Sequence, residues 1–389
     1  MNLSDIQAAL RDQHLDGWLF YDHHHRDPLA YRILGLDEHA HVTRRWFYLI
    51  PAEGEPKKLV HRIESGRLDT LPGSKTGYSS WQELEAGVKT MLASKTRLAM
   101  QYSPRNAIMA ISLVDAGTVE MLREMGKEIV SSADLVSQFE AVLSEPQIAS
   151  HYVAQEKIDR ILTAAWKEIG DRVRGAGTDE FAMVEYLQRA MTSEGLVWEH
   201  GPNVSVGANS ADSHYEPTPQ SSKAIRKCDF VLIDIWARVD QPGTCFYDIT
   251  WTGVVDREPT ERERLVFETV RDARDAAIQA VQKAYAAGIS IAGWQADDAA
   301  RAVIRNAGFG EWFTHRTGHN IATDLHGNGA HLDNLETHDE RLLLPSTCFS
   351  VEPGIYFPGE FGVRSEINMM TRPGQATVTG RTQSELVRI

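Results

Sequence analysis

Four carboxylates stand at spacings that bring them together in pairs. Phe230-Val231-Leu232-Ile233 is an apolar run of strand type leading into Asp234, and a second such run carries Tyr247-Asp248-Ile249-Thr250-Trp251. Asp240-Gln241-Pro242-Gly243 between them is a turn sequence, midway between Asp234 and Asp248. In a symmetric antiparallel hairpin, residues equidistant from the turn face each other with Cα atoms about 4.5–5.5 Å apart. Asp234 and Asp248 are therefore expected to be directly opposed. Phe349-Ser350-Val351-Glu352 runs into Pro353-Gly354-Ile355-Tyr356, turns near Pro358-Gly359-Glu360 and returns through Gly362-Val363-Arg364-Ser365-Glu366. Glu352 and Glu366 repeat the 14-residue separation of the aspartates.

Like charges opposed on a sheet destabilise it. A buried pair either shares a proton, each group raising the other's pKa, or holds a cation between its members. One pair would also fit a solvated surface. Two equivalent pairs with apolar flanks point to four inward carboxylates in one place. Their charge of about −4 is what two divalent cations balance, and two-metal sites hold ions about 3.5–4 Å apart. Histidines supply the softer ligand. His315, His319 and His326 lie within His315-Arg316-Thr317-Gly318-His319-Asn320 and its continuation through His326-Gly327, where the glycines argue against a helix. With 15 histidines in the chain, three together are weak evidence; their position just ahead of the second hairpin gives them weight. His214, in Asp212-Ser213-His214-Tyr215-Glu216, stands in the equivalent place ahead of the first.

The elements that position these groups recur. Ile158, Ile161, Leu162, Ala165, Trp166, Ile169 and Val173 form one face of a long helix closed by Gly175-Ala176-Gly177, and a second helix spans about 179–193. Helices over about 261–286 and 294–306 follow the first hairpin. Two helices, a His-containing extended segment and a hairpin thus occur twice, offset by 113 residues at Gly195 and Gly308 and by 118 at the hairpins. A duplication is the reading, as pattern rather than identity; two unrelated units are the alternative. Ahead of a boundary near Ser144-Glu145-Pro146, the chain reads as mixed α/β. Gly17–Tyr21 and Arg97–Met100 are strands, 45–50 and 58–61 form a hairpin, and 114–125 and 132–142 are helices.

Composition narrows the partners. Forty Lys and Arg against 54 Asp and Glu give a formal net charge of −14, which opposes sequence-independent binding to nucleic acid or to anionic membranes. No apolar run approaches the roughly 20 residues that span a bilayer. The start, Met1-Asn2-Leu3-Ser4-Asp5, lacks the basic and apolar segments of a signal peptide. Three cysteines with no C-x-x-C spacing exclude a disulfide scaffold and a thiolate zinc finger. A cytoplasmic protein is expected.

Taken together, Leu-Ile-Asp234, Asp248-Ile-Thr250, His315-x-x-Gly-His319, Glu352-Pro-Gly-Ile-Tyr and Gly-Val-Arg364-x-Glu366 resemble the motifs of the pita-bread metallopeptidases, the family of methionine aminopeptidase, aminopeptidase P and prolidase. The resemblance implies an α/β (α+β) chain. Residues 1–145 would be a smaller creatinase-like α/β domain, and 146–389 a pita-bread domain whose duplicated helix-helix-hairpin units surround a curved antiparallel sheet. It implies a dinuclear site. Asp234 would chelate one ion, Asp248 and Glu366 would bridge, and His319 and Glu352 would complete the second. Manganese is the expected metal, with cobalt or zinc as alternatives. A bridging hydroxide would attack the scissile carbonyl, Glu352 would shuttle the proton, His214 and His326 would bind the carbonyl oxygen, and His315 would line the pocket beyond the scissile bond. Arg364 would pair with a ligand carboxylate or be a surface strand arginine, and Thr250 would support the ligands.

Implied substrates are short proline-containing peptides cleaved at Xaa-Pro, and a homodimer is implied. An aminopeptidase P takes longer peptides; a prolidase takes dipeptides and needs a cation for the free carboxylate, for which Arg341 and His338 are candidates. Other readings are a pita-bread homologue repurposed as a non-proline small-molecule hydrolase and a peptide- or protein-binding module. Two departures from the family pattern lie on the first hairpin: Trp251 where many members carry arginine, and three extra residues between the aspartates. His23-His24-His25-Arg26 is either a solvated loop or one that reaches a partner's active site.

Overall fold

The computed structural model describes residues 2–389; Met1 lies outside the described residues. The chain forms two compact units, the first ending at Glu140 and the second running Ala141–Ile389.

The first unit is built on a six-stranded mixed sheet. Its order is Ser74–Tyr78, Lys57–His61, Trp46–Pro51, Gly17–Asp22, Arg97–Met100, Glu128–Ser131. Gly17–Asp22 lies centrally and is buried throughout. Trp18 and Phe20 enter one core while Leu19 and Tyr21 enter another, the two-sided burial of a covered strand. The expected hairpin and the strands at 17 and 97 are present. Ser74–Tyr78 escapes a reading by apolar pattern because four of its five residues are exposed. The helix expected over 132–142 is an α-helical turn, Ala133–Val136, continued by a π-helical turn, Ser137–Ala141. The His23–Arg26 loop winds round buried Asp22, which accepts from the amides of His25 (3.2 Å), Arg26 (2.7 Å) and Asp27 (3.2 Å).

The second unit shows the duplicated pattern. Glu145–Arg174 and Glu180–Ser193 pack on the sheet containing Asn203–Val206, Phe230–Val239 and Tyr247–Val254. Glu261–Ala286 and Gly293–Asn306 pack on the sheet of Asn320–Ile321, Cys348–Val351, Ile367–Arg372 and Gln375–Thr379. In each half a short strand carrying an asparagine pairs with the first hairpin strand, Asn203 opposite Asp234 and Asn320 opposite Phe349. Helix starts are written into the sequence. Thr260 and Glu263 exchange hydrogen bonds across the first turn of one helix (3.2 and 2.7 Å), and Pro146 occupies the first turn of another. Among the described residues, no helix is long and apolar enough to cross a membrane.

Candidate metal centre

Register decides which carboxylates meet. In the first hairpin Asp234 opposes Thr250, and Trp236 opposes Asp248. The expectation that the two aspartates are directly opposed is thus corrected. The pairing centres on Pro242 rather than on Gln241, so they sit diagonally, two residues out of step. Side chains alternate along a strand, so Asp234, Trp236, Asp248 and Thr250 still share one face. The second hairpin meets the expectation. Val351 pairs with Ile367 and Gly354 with Arg364 in one register, which sets Glu352 across from Glu366 where the ladder breaks.

The two hairpins bring Asp248, His319 and Glu366 together, one ligand atom from each lying within 4.8 Å of the others. His319 Nε2 is 3.4 Å from Glu352 Oε1 and 3.7 Å from Asp248 Oδ2. Arg364 ion-pairs with Asp234 and donates from Nε to Thr250 Oγ1 at 3.0 Å. Of the two readings of Arg364, the ligand-paired one is present; it is buried, not a surface strand residue. Thr250 Oγ1 also lies 2.6 Å from Asp234 Oδ1 and 2.7 Å from Glu366 Oε2. A hydroxyl has one proton to donate, so Thr250 can donate to only one of the two carboxylates at a time. Trp251 belongs to the opposite face, where Arg381 stacks 5.2 Å from its ring, so this departure from the family pattern leaves the ligand face untouched.

Electrostatics agree with this geometry. Burial pushes the Asp234 carboxyl up to about 7 against the pull of Arg364, with Asp248 adding to the rise. Burial also raises Asp248, against the His319 contact, and raises Glu366 well above the ordinary range, reinforced by Asp248 and Glu352. Burial alone would raise Glu352 too, but His319 and Arg364 override it and hold it low. His319 goes up despite burial because it contacts Asp248. Two buried carboxylate oxygens, Asp248 Oδ1 and Glu366 Oε1, have no hydrogen-bond partner. Orphaned anionic oxygens beside an imidazole are what divalent cations satisfy, so the residues present fit the implied metals.

A cavity of about 520 Å³ opens over these groups. His214, His315 and His326 all line it, together with Arg364 and the five expected metal ligands, while Thr250 lies beneath the ligands. His315 donates or accepts at Tyr356 Oη (2.8 Å) through Nε2 and contacts its neighbour's carbonyl through Nδ1. The segment from His315 to His319 is not helical, and a Cβ on Gly318 would lie 2.0 Å from Ser350 O, which only glycine avoids. Arg341 and His338 do not line the cavity. Arg341 is buried in a bidentate pair with Asp339 (2.9 and 2.6 Å), and exposed His338 stacks on Trp294, so neither serves as the carboxylate cation. The lining also holds Arg316, Glu336, His200, Trp236 and Tyr215, which the sequence reading did not single out. Trp236 was within reach of strand alternation, two residues beyond Asp234; the others carry no periodic or motif signal.

Buried carboxylates near the starts of two helices hold the histidine segments. Glu180 accepts from Val206 N (2.7 Å), Lys223 N (2.8 Å) and Tyr215 Oη (2.7 Å), the neighbour of His214. Asp297 accepts from Thr317 N (2.9 Å) and Oγ1 (2.6 Å) between His315 and His319, and its partner Arg301 donates to His315 O at 2.9 Å. The same solution thus recurs in both halves. At the ligands themselves, Thr250→Val keeps shape but removes the hydroxyl shared by Asp234 and Glu366. It is expected to weaken metal affinity or activity by about 10–100-fold, as loss of a ligand's supporting hydrogen bond does; isothermal titration with manganese measures it, and wild-type affinity would remove Thr250 from the account.

With the geometry in place, the chain can be set beside known proteins. The sequence profile of metallopeptidase family M24 matches residues 152–373, more than half the chain. The Xaa-Pro dipeptidase of Pyrococcus furiosus is 28% identical over 263 residues, covering 67% of this chain and 69% of that protein. That of Pyrococcus horikoshii is 29% identical over 276 residues, covering 70% and 72%. The crystal structure of dipeptidase PepE from Mycobacterium ulcerans aligns with all of this chain and 96% of its own, with a TM-score of 0.70 at 23% identity, a likeness of fold.

Proposed function

This chain belongs to metallopeptidase family M24 and is a peptidase, and from that premise we propose that it is a dinuclear Xaa-Pro dipeptidase. The observation that carries the metal-dependent reading is the convergence of Asp248, His319 and Glu366 with two buried carboxylate oxygens left unpartnered. Asp234, Asp248, His319, Glu352 and Glu366 would hold two divalent cations, with manganese favoured because four of five donors are carboxylates. When bound, such ions supply a water of near-neutral pKa and an electrophilic surface for a carbonyl.

The chain's own groups do the rest. Glu352, beside His319 Nε2, takes a proton at its carboxylate and delivers it to the departing prolyl nitrogen. His214 and His326, exposed on the cavity wall, offer N–H donors to the carbonyl oxygen as negative charge develops there. His326 is placed for this beside the ligand histidine, its ring 4.3 Å from that of His319. His315, held from behind by Tyr356 Oη, walls the space for the prolyl ring. Arg364 fixes Asp234 and Thr250.

The relatives named as Xaa-Pro dipeptidases favour the dipeptidase reading over an aminopeptidase, and so does the cavity wall. Arg316 lines the cavity, and its guanidinium would pair with the free carboxylate of a dipeptide. The test is turnover of Xaa-Pro against Xaa-Pro-Xaa by the purified, manganese-loaded chain, with the dipeptide expected to be preferred. Arg316→Ala is expected to raise KM for the dipeptide at least about tenfold, the loss of one charge-assisted pair. Amidating the prolyl carboxylate should do the same to the unaltered chain, and the two effects should not add. A KM unmoved by either change excludes Arg316 from substrate recognition.

A further inference from the structure

Beside the candidate metal centre lies a second compartment of about 330 Å³. It shares His200, Trp236, Leu325 and His326 with the larger cavity, so the two adjoin. Its remaining walls are Phe246 and two carboxylates, Glu199 and Asp324. Among the described residues, no lysine or arginine lines it. Arg238, whose guanidinium sits 5.6 Å from the Phe246 ring, is bound to Gln241 O (3.2 Å) and Thr244 Oγ1 (3.3 Å) and is not part of the lining. The aromatic wall is packed rather than loose. The His200 and Trp236 rings meet edge to face at 5.5 Å, and a Cβ on Gly201 would lie 2.3 Å from the Trp236 ring.

We propose that this compartment selects substrates whose amino-terminal residue carries a long cationic side chain, lysine or arginine. The chemistry follows from the walls. An aliphatic stem lies along Trp236 at the rim that Leu325 closes, and the charged head meets the indole and the two carboxylates. The inference rests on the Xaa-Pro reading above and extends it. In such a substrate the residue after the scissile bond is proline, whose ring has no long side chain, so a side-chain compartment beside the ligands serves Xaa. Arg316 lines only the larger cavity, so the smaller one, with Glu199 and Asp324, carries the carboxylates without that cation.

The test uses the full-length, manganese-loaded chain and the dipeptides Lys-Pro, Arg-Pro, Leu-Pro, Ala-Pro and Glu-Pro. The kcat/KM for Lys-Pro and Arg-Pro is expected to exceed that for Leu-Pro about tenfold or more, as one charge-assisted contact supplies, with Glu-Pro lowest. In the E199Q/D324N variant the Lys-Pro to Leu-Pro ratio should fall toward one. Equal turnover of cationic and neutral dipeptides by the unaltered chain overturns the inference while leaving the Xaa-Pro reading intact, and it does not depend on the variant folding. A uniform loss on all five dipeptides in E199Q/D324N, with the ratio unchanged, also overturns it, assigning the carboxylates to the substrate's α-ammonium. Turnover of none of the five by metal-loaded chain overturns the Xaa-Pro reading, and this inference with it.

Discussion

Glu352→Gln is expected to fold, to load metal and to lose about 10²–10⁴ in kcat, the range for removing a general acid–base. The amide keeps the shape and one oxygen of the carboxylate, so the Ser350 Oγ contact at 3.1 Å and the ladder on either side of Glu352 survive. What disappears is the ability to accept a proton and return it to the leaving nitrogen. In the metal-free chain His319 and Arg364 hold Glu352 low against its burial, while burial pushes the other three carboxyls up. The loss should fall on kcat with KM little changed, since Glu352 acts as charge moves rather than in holding the ground state. Pre-steady-state and steady-state kinetics with metal content measured on the same sample check this. Near-normal kcat at full metal occupancy would remove Glu352 as the proton carrier.

The second large effect concerns metal removal and pH. Without cations, Asp234, Asp248 and Glu366 all have carboxyls raised in the fold, Asp234 to about 7. A group raised in the folded state contributes stability that is complete below its unfolded value, near pH 4, and is lost as pH rises through its folded value. His319, also raised, has the same sign, its contribution being lost above its ordinary range. Glu352 has the opposite sign, with a contribution lost only under acid conditions. The chelated protein should therefore lose stability between about pH 5 and 8 at this site, while bound cations remove the repulsion and the loss. The metal-induced rise in Tm should grow with pH across that window. A metal at a hundred times its dissociation constant adds about 2.7 kcal/mol, which is roughly 5–10 °C in a unit of this size. Differential scanning calorimetry of chelated and manganese-loaded protein at pH 5, 6, 7 and 8 measures it. A Tm difference that is flat or shrinks with pH would mean that the carboxylates do not share a site that cations neutralise.

The sequence carried the chemistry further than the geometry. The ligands were legible because hairpin strands write their register into turn position and their facing into alternation. The second hairpin, with its turn at Pro358-Gly359, obeys the symmetric count, whereas the first closes one residue later and sets Asp234 opposite Thr250 instead of Asp248. A one-residue difference in turn closure lies below what composition of a turn specifies. Thr250, Trp236 and the ligands share a face for the same reason that Trp251 does not, and period-two reading would place all of them. Arg341 shows the limit. Nothing local distinguishes a cation buried on Asp339 from one facing a cavity, because its partner is set by how the 326–343 loop closes over Gly293. Arg316, His200 and Glu199 were invisible for that reason too: they lie in non-repetitive loops, where tertiary closure alone decides what a side chain meets.

The central claim is that the gathered carboxylates and His319 hold the metals on which Xaa-Pro hydrolysis depends. Its most direct test is a titration of manganese into fully chelated, full-length protein, following hydrolysis of an Xaa-Pro dipeptide and bound metal together. No turnover at zero metal, with turnover rising to a plateau at two ions per chain, is the predicted result. Full turnover by protein from which metal has been stripped would contradict it.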